Sequence, residues 1–294
     1  MNPTEEEFNR IRVFLLETSG LCLSADKQYL VQTRLEPVAR RHSLLSLAEV
    51  IRRLEERNDG SFRDEVIDAM TTNETSFNRD SHPFDELRST ILPRLMQTLQ
   101  DRKTRSGIPF PRIRIWSVAA STGQEPYSIA MAILDFLEAN PRTGWTADHF
   151  WILGTDISER ALQAARAGRY SDWEIDRGLS REQKNKFLTQ HEGQWLISPR
   201  VRNMVDLRRV NVLQNIVDLA GFDLIFCRNL LIYFDELTRF NVCQKLAKSL
   251  NPDGLLLLGA AEHLPASSDT TFQQIKFGRT IAFVKLSAEN QMRG

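Results

Sequence analysis

The chain has 294 residues, of which 38 are basic and 38 acidic, for a net charge of zero. That length leaves room for one large α/β domain and a smaller one, and balanced charge argues against broad electrostatic attraction to nucleic acid or anionic membrane. Three widely spaced cysteines (Cys22, Cys227, Cys243) argue against a disulfide framework, and the five histidines show no zinc-type pairing, so no metal site is expected. The acidic start, Met1 to Glu7, does not read as a signal peptide, and no apolar run is long enough for a bilayer; a cytoplasmic location is expected.

Residues 1–70 read as an all-helical domain. A helix over about 25–41 follows Ser24 and carries apolar Leu30, Val31, Leu35, Val38 and Ala39. On it Lys27, Arg34 and Arg41 fall seven residues apart and share one face. Such a stripe is either a solvated helix face or a docking surface for an acidic partner helix. Ser46-Leu-Ala-Glu49 reads as a capping box for a helix running to Asn58, with Asp59-Gly60 ending it. Residues 71–112 read as a linking and junction segment that opens on a polar, capping-rich run from Thr71 to Asp80.

From 113 to the end, strands and helices alternate, which predicts a mostly parallel, doubly wound sheet. Ile113 to Val118 is a strand, Ala119 to Gly123 a loop of small residues, and an apolar helical pattern follows. In open α/β sheets cofactors bind where such loops leave the strand ends. The loop has one glycine and matches neither Gly-x-Gly-x-x-Gly nor a phosphate loop, so it suits a nucleoside without a pyrophosphate. Pro126 fits the first helical position, where its missing N–H costs nothing, and so places Glu125 at the helix mouth, suited to a cationic or hydroxyl-bearing ligand. A second strand, His149 to Asp156, ends in an acid where such sheets grip ribose hydroxyls. Capping the helix 158–167 is its other possible duty, one that Ser158 can also fill.

Residues about 170–204 break the rhythm and read as an inserted subdomain. Phe222 to Cys227 is a third strand, with Arg228 and Asn229 off its end and Tyr233 just beyond. A helix over 236–250 leads to a strand at Leu255 to Gly259, and Phe272 to Leu286 reads as an antiparallel pair around Gly278.

Four ordered segments together resemble one family. They are Thr71-Thr-Asn-Glu-Thr-x-Phe-x-Arg79, Ser121-Thr-Gly-x-Glu-Pro-Tyr-Ser-Ile-Ala130, Gly154-Thr-Asp-Ile157 and Cys227-Arg-Asn-x-Leu-Ile-Tyr-Phe234. The chain, from about residue 5 to 286, is similar to the CheR family of chemotaxis receptor methyltransferases. The resemblance implies an S-adenosylmethionine-dependent fold and protein-glutamate O-methyltransferase activity on bacterial chemoreceptors, with S-adenosylhomocysteine as product. It implies that Asn73, Thr75, Arg79, Glu125, Asp156, Asn211, Val212, Arg228 and Asn229 hold the cofactor, and that Arg79 and Tyr233 serve the reaction. Ala119-Ala120, Gln124 and Val212 depart mildly from the family pattern.

The residue types fit that chemistry. A sulfonium donor needs no acid at its leaving group, and a glutamate with an ordinary pKa near 4.3 is already ionised at neutral pH. Alignment of oxygen, methyl carbon and sulfur is then the main demand. Two rivals stand beside this reading: a nicotinamide-dependent oxidoreductase, which the missing Gly-x-Gly-x-x-Gly disfavours, and a non-catalytic cofactor-binding adaptor, which Arg79 and Tyr233 disfavour. Some family members bind a tether peptide at the receptor's carboxyl terminus through a glycine-rich loop of the inserted subdomain. Here the stretch Phe187 to Ile197 is compact with one glycine, so tether-independent docking through Lys27, Arg34 and Arg41 is expected.

Overall fold

A computed structural model describes residues 2–56, 59–105, 108–265 and 271–286. The helical domain holds α1 (Glu5–Ser19), α2 (Gln28–Arg41), α3 (Leu47–Glu55) and α4 (Gly60–Met70). Thr4 and Glu7 form a capping box at the start of α1, and Gly20 ends it at φ 73°. A side chain at Gly20 would stand 2.9 Å from the Phe234 ring, so the helix end packs tightly on the second domain. Phe8, Ile11, Leu15, Val31, Leu35, Val38, Val50, Leu54, Phe62 and Val66 bury one core.

Two readings of this domain change. The Ser46 hydroxyl does accept the Glu49 N–H, but the Glu49 carboxylate reaches back to Leu45 rather than to Ser46. Asp59-Gly60 does not end α3. Asp59 caps the next helix by accepting the Phe62 N–H, and Gly60 is that helix's first residue. Asn58, the expected end of α3, lies outside the described residues.

Residues 82–104, expected within a linking segment, are helical: α5 (His82–Glu86), a π-helical turn (Leu87–Ile91) and α6 (Leu92–Thr104). Phe84, Leu87, Ile91, Leu95 and Leu99 are buried in one cluster with Ile113 and Ile115. This segment is a layer of the sheet's core.

The sheet domain follows as β1 (Ile113–Val118), α7 (Gln124–Ala139), β2 (Phe150–Asp156) and α8 (Glu159–Ala167). The inserted subdomain is β3 (Arg169–Tyr170), α9 (Asp172–Asp176), α10 (Arg181–Phe187), β4 (Leu188–His191), β5 (Gln194–Ile197) and α11 (Pro199–Arg202). Then come β6 (Val205–Arg209), β7 (Phe222–Cys227), α12 (Glu236–Ser249), β8 (Leu250–Leu258), β9 (Phe272–Phe277) and β10 (Thr280–Lys285). The large sheet runs β6-β2-β1-β7-β8-β10-β9, and the small one β3-β5-β4. Five strands are parallel, and β10 and β9 close the sheet antiparallel, as expected from Phe272 to Leu286.

Strand order reverses at β1, whose neighbours are β2 and β7. Chains leave these strands in opposite directions there and open a crevice at the carboxyl ends, the place where open α/β sheets bind ligands. Buried Trp116, Val118, Leu153, Ile225 and Leu256 fill one face of the sheet, and Ile115, Ile152, Leu224 and Leu257 the other. Strand β6 was not anticipated, because Val-Asp-Leu-Arg-Arg at the sheet edge exposes charge rather than an apolar run.

Candidate active site

The loop after β1 turns sharply. Ala119 and Ser121 adopt positive φ (55° and 52°), and Gly123 sits at 97°. An added side chain at Gly123 would lie 2.9 Å from Ala165 Cβ and 3.0 Å from the Tyr170 hydroxyl, so the helix behind packs too closely for any other residue. The turn aims backbone N–H groups across the crevice. One of them, on Ser121, donates to Asp156 Oδ2 at 2.8 Å.

Asp156 stands at the end of β2 and takes a second bond, from Ser158 N–H to Oδ1 at 2.9 Å. Ser158 itself caps α8 by accepting the Ala161 N–H. The carboxylate therefore fixes two loops, and each oxygen keeps a lone pair for a ligand hydroxyl. Burial pushes the Asp156 carboxyl above its ordinary range, against the pull of these N–H donors.

Glu125 Oε1 accepts from the Ser117 hydroxyl at 2.8 Å, and its Oε2 from Arg228 Nη1 at 3.0 Å. Burial raises its carboxyl too, opposed mainly by the Arg228 charge. The Arg228 side chain is completely buried and also donates from Nη2 to the Arg79 carbonyl (2.8 Å) and to Asp80 Oδ2 (2.7 Å). Its buried Nε has no protein partner. An unpaired buried charge is costly, so one guanidinium serving two carboxylates and a carbonyl locks the strand end to the loop before α5. That loop is strained: Asn78, Asp80 and Ser81 all have positive φ, at 46°, 66° and 45°.

The residues expected to hold the cofactor or serve the reaction line one solvent-connected cavity: Asn73, Thr75, Arg79, Glu125, Asp156, Asn211, Val212, Arg228, Asn229 and Tyr233. Ser19 and Leu21 of the helical domain line it as well. Two acids with unfilled lone pairs suit a ligand carrying hydroxyls and a cation, while the fully buried Arg228 holds Glu125 in place. Several of these residues also build the walls. Asn211 donates to the Thr18 carbonyl (2.7 Å) and accepts the Leu213 N–H, and Asn73 offers its carbonyl to Ser121 Oγ at 2.7 Å.

Two family domains match the chain: the CheR methyltransferase all-alpha domain over residues 6–71 and the CheR methyltransferase SAM binding domain over residues 73–281. The chain belongs to the CheR methyltransferase family. Chemotaxis protein methyltransferase 1 of Pseudomonas aeruginosa is 39% identical over 265 residues, covering 90% of this chain and 92% of that protein. Chemotaxis protein methyltransferase Cher2 of Pseudomonas putida is 37% identical over 270 residues, covering 92% and 94%. Among solved structures, magnesium protoporphyrin IX methyltransferase of Synechocystis, with bound SAM, overlaps 73% of this chain and 100% of its own at 13% identity and a TM-score of 0.35, a likeness that carries no argument. As a CheR methyltransferase the protein is an S-adenosylmethionine-dependent enzyme with an all-helical domain ahead of its sheet.

In this CheR chain one buried acid escaped the sequence reading. Glu262 Oε2 accepts the N–H groups of Asn229 and Gly259, both at 2.7 Å, and Oε1 that of Ile232 at 3.3 Å. It thereby holds Asn229 at φ 58° and begins the short turn that carries Tyr233. The clue in the sequence is an acid four residues past a strand that ends the sheet's parallel part, three residues after Gly259. A side chain at Gly259 would lie 2.7 Å from Glu262 Oε2.

The basic stripe needs correction. Arg34 is half-buried, donating to the Met70 carbonyl (2.7 Å), the Thr71 carbonyl (3.2 Å) and Thr72 Oγ1 (3.2 Å). Its donors are spent on the junction with the cavity loop. Arg41 pairs with Glu65 at 2.6 Å, and Lys27 is exposed. The described residues contain no group of three or more His, Cys, Asp or Glu that could hold a metal ion, and no helix long and apolar enough to cross a membrane.

Proposed function

We propose that this enzyme is a protein-glutamate O-methyltransferase acting on bacterial chemoreceptors. The observation that carries the reading is the convergence of Arg79 and Tyr233 with Glu125, Asp156 and Arg228 on one cavity. S-adenosylmethionine, when bound, supplies an electrophilic methyl on sulfur. Asp156 would hold the ribose hydroxyls, Glu125 and Arg228 the charged amino-acid end, and Asn73, Thr75, Asn211, Val212 and Asn229 the rest of the cofactor. Arg79, exposed to the cavity, orients the incoming glutamate through paired N–H donors. The methyl that the bound cofactor would supply would pass to an oxygen of that carboxylate, with a methyl ester and S-adenosylhomocysteine as the products. Tyr233, which lines the same cavity, would face the methyl group. An ionised nucleophile needs no general base, and the step calls on no metal.

We take residues 1–70 as the helical domain and the remainder as the methyltransferase domain, with 82–104 built into its core and the inserted subdomain at about 170–204. We place the protein in the cytoplasm, with receptor cytoplasmic helices. Of the basic stripe, Arg34 is spent on the domain junction and Arg41 on Glu65, which leaves exposed Lys27 as the charge open to an acidic helix. We read action as tether-independent, because β4 and β5 are joined by the two-residue turn Glu192-Gly193, which leaves little backbone beyond the strands for a peptide. Labelled S-adenosylmethionine and a receptor cytoplasmic fragment test the reading. Base-labile label on glutamate is expected, with Arg79→Ala and Tyr233→Phe lowering turnover more than cofactor affinity. No transfer, or tight binding of the isolated receptor tail, overturns the corresponding part.

A further inference from the structure

Trp173 lies 66% exposed on α9, at the start of the inserted subdomain. The guanidinium of Arg177 stacks over its ring, 4.5 Å from the centroid. Arg177 Nη2 in turn donates to Glu74 Oε1 at 3.1 Å, and the Glu74 carbonyl accepts from Arg79 Nη1 at 3.1 Å. Glu74 and Arg79 both line the cofactor cavity. A continuous surface therefore runs from the reaction centre outward: Arg79, Glu74, Arg177, Trp173.

We propose that this strip is the docking surface for the receptor helix that carries the acceptor glutamate. The inference rests on the methyltransferase reading and adds where the substrate sits. Two guanidiniums, Arg79 and Arg177, stand at the mouth of a site that must admit an acidic side chain, while the acids of α9 are engaged elsewhere, Asp172 by Trp195 Nε1, Glu174 by the Ser171 cap and Asp176 by Lys184. An indole held flat by a stacked cation gives an apolar platform at little cost in conformational entropy, and Trp and Arg are the residue types that dominate binding energy at interfaces. An α-helix repeats its face every three to four residues, so a helix with its glutamate at Arg79 presents its next turns along the strip. An apolar residue on that face meets Trp173, and an acidic one meets Arg177. Neighbouring Trp195 differs: it packs against the core and donates to Asp172 Oδ1 at 2.6 Å, so it serves the fold.

The test uses the full-length protein and a receptor cytoplasmic fragment. Trp173→Ala and Arg177→Ala are each expected to raise KM for the receptor about tenfold, within the range of an interface anchor. Affinity for S-adenosylhomocysteine by calorimetry, kcat at saturating receptor and thermal midpoint should stay near the parent values, and Trp173→Phe should recover part of the KM. An unchanged KM in both variants overturns the proposal. A parallel loss of cofactor affinity overturns it as well, by making the pair structural. Loss of binding to an isolated receptor tail peptide, with KM for a tail-less fragment unchanged, assigns the strip to a tether instead. If the parent enzyme methylates no receptor fragment, the function reading itself fails, which the variants alone could not cause.

Discussion

Glu262 offers one carboxylate to three backbone N–H groups, and one of those, on Asn229, belongs to a residue lining the cavity. Glu262→Ala leaves these donors buried without an acceptor, at about 1–3 kcal/mol for the desolvated groups. The expected result is a drop in both affinity for S-adenosylhomocysteine and turnover. Glu262→Gln keeps one oxygen for the two short bonds and should retain most cofactor affinity, while turnover falls because the Ile232 N–H, at the root of the Tyr233 turn, meets an amide nitrogen. Calorimetry beside a methylation assay separates the two, and equal behaviour of Gln and Ala would show that the acid acts on the fold alone. At Asp156, Asp156→Ala should weaken cofactor binding by about 1–3 kcal/mol, the scale of a lost hydrogen bond to a charged group. The acids at the ends of β1 and β2 were legible because strand, small-residue loop and carboxylate fall in a recognisable order. Glu262 was not, since its partners are all main chain and no side-chain motif announces them.

Elements show the same division. The parallel strands were legible from apolar runs ending in small or acidic residues. Edge strand β6 and the layer α5–α6 were not, because the first is charged and the second begins amid a polar run. The inserted subdomain grips the strained loop through Asn78, whose Nδ2 donates to the Gly178 carbonyl at 2.9 Å and to Gln183 Oε1 at 3.3 Å, and a side chain on Gly178 would lie 1.8 Å from the Phe77 carbonyl oxygen. Gly178→Ala must push backbone from backbone and is expected to cost at least about 1–3 kcal/mol, the overpacking range, with turnover reduced through the displaced Arg79 loop. Chemical denaturation and the methylation assay check both. In the helical domain, burial alone would raise the Glu65 carboxyl, but His42 and Arg41 outweigh it and hold it below its ordinary 4.5. A lowered carboxyl contributes stability above its unfolded value and loses it on acidification. The thermal midpoint should therefore fall as pH drops below 4.5, and fall less in Glu65→Gln.

Across the whole molecule the cavity belongs to both domains. Arg34 ties α2 to the carbonyls that open the cavity loop, Asn211 reaches the Thr18 carbonyl, Arg209 pairs with Asp64, and the Cys22 N–H donates to the Tyr233 carbonyl. Arg34→Ala, which removes no cavity-lining group, should weaken S-adenosylhomocysteine binding several-fold through the freed Thr71–Thr75 segment. Arg34→Lys should not restore it, because a single ammonium lacks the fork that spans two carbonyls and a hydroxyl. Unchanged affinity in both would confine Arg34 to the helical domain.

The buried Arg228 has a consequence for how the protein is made. Glu125 is translated about a hundred residues before the cation that neutralises it. A nascent chain that has delivered β1, its loop and α7 holds a carboxylate in apolar surroundings with nothing opposite, and that arrangement is unfavourable until β7 slides in beside β1. Glu262 must follow before Asn229 is held in place. The pocket is therefore complete only once β7 and Glu262 have joined the strands translated before them.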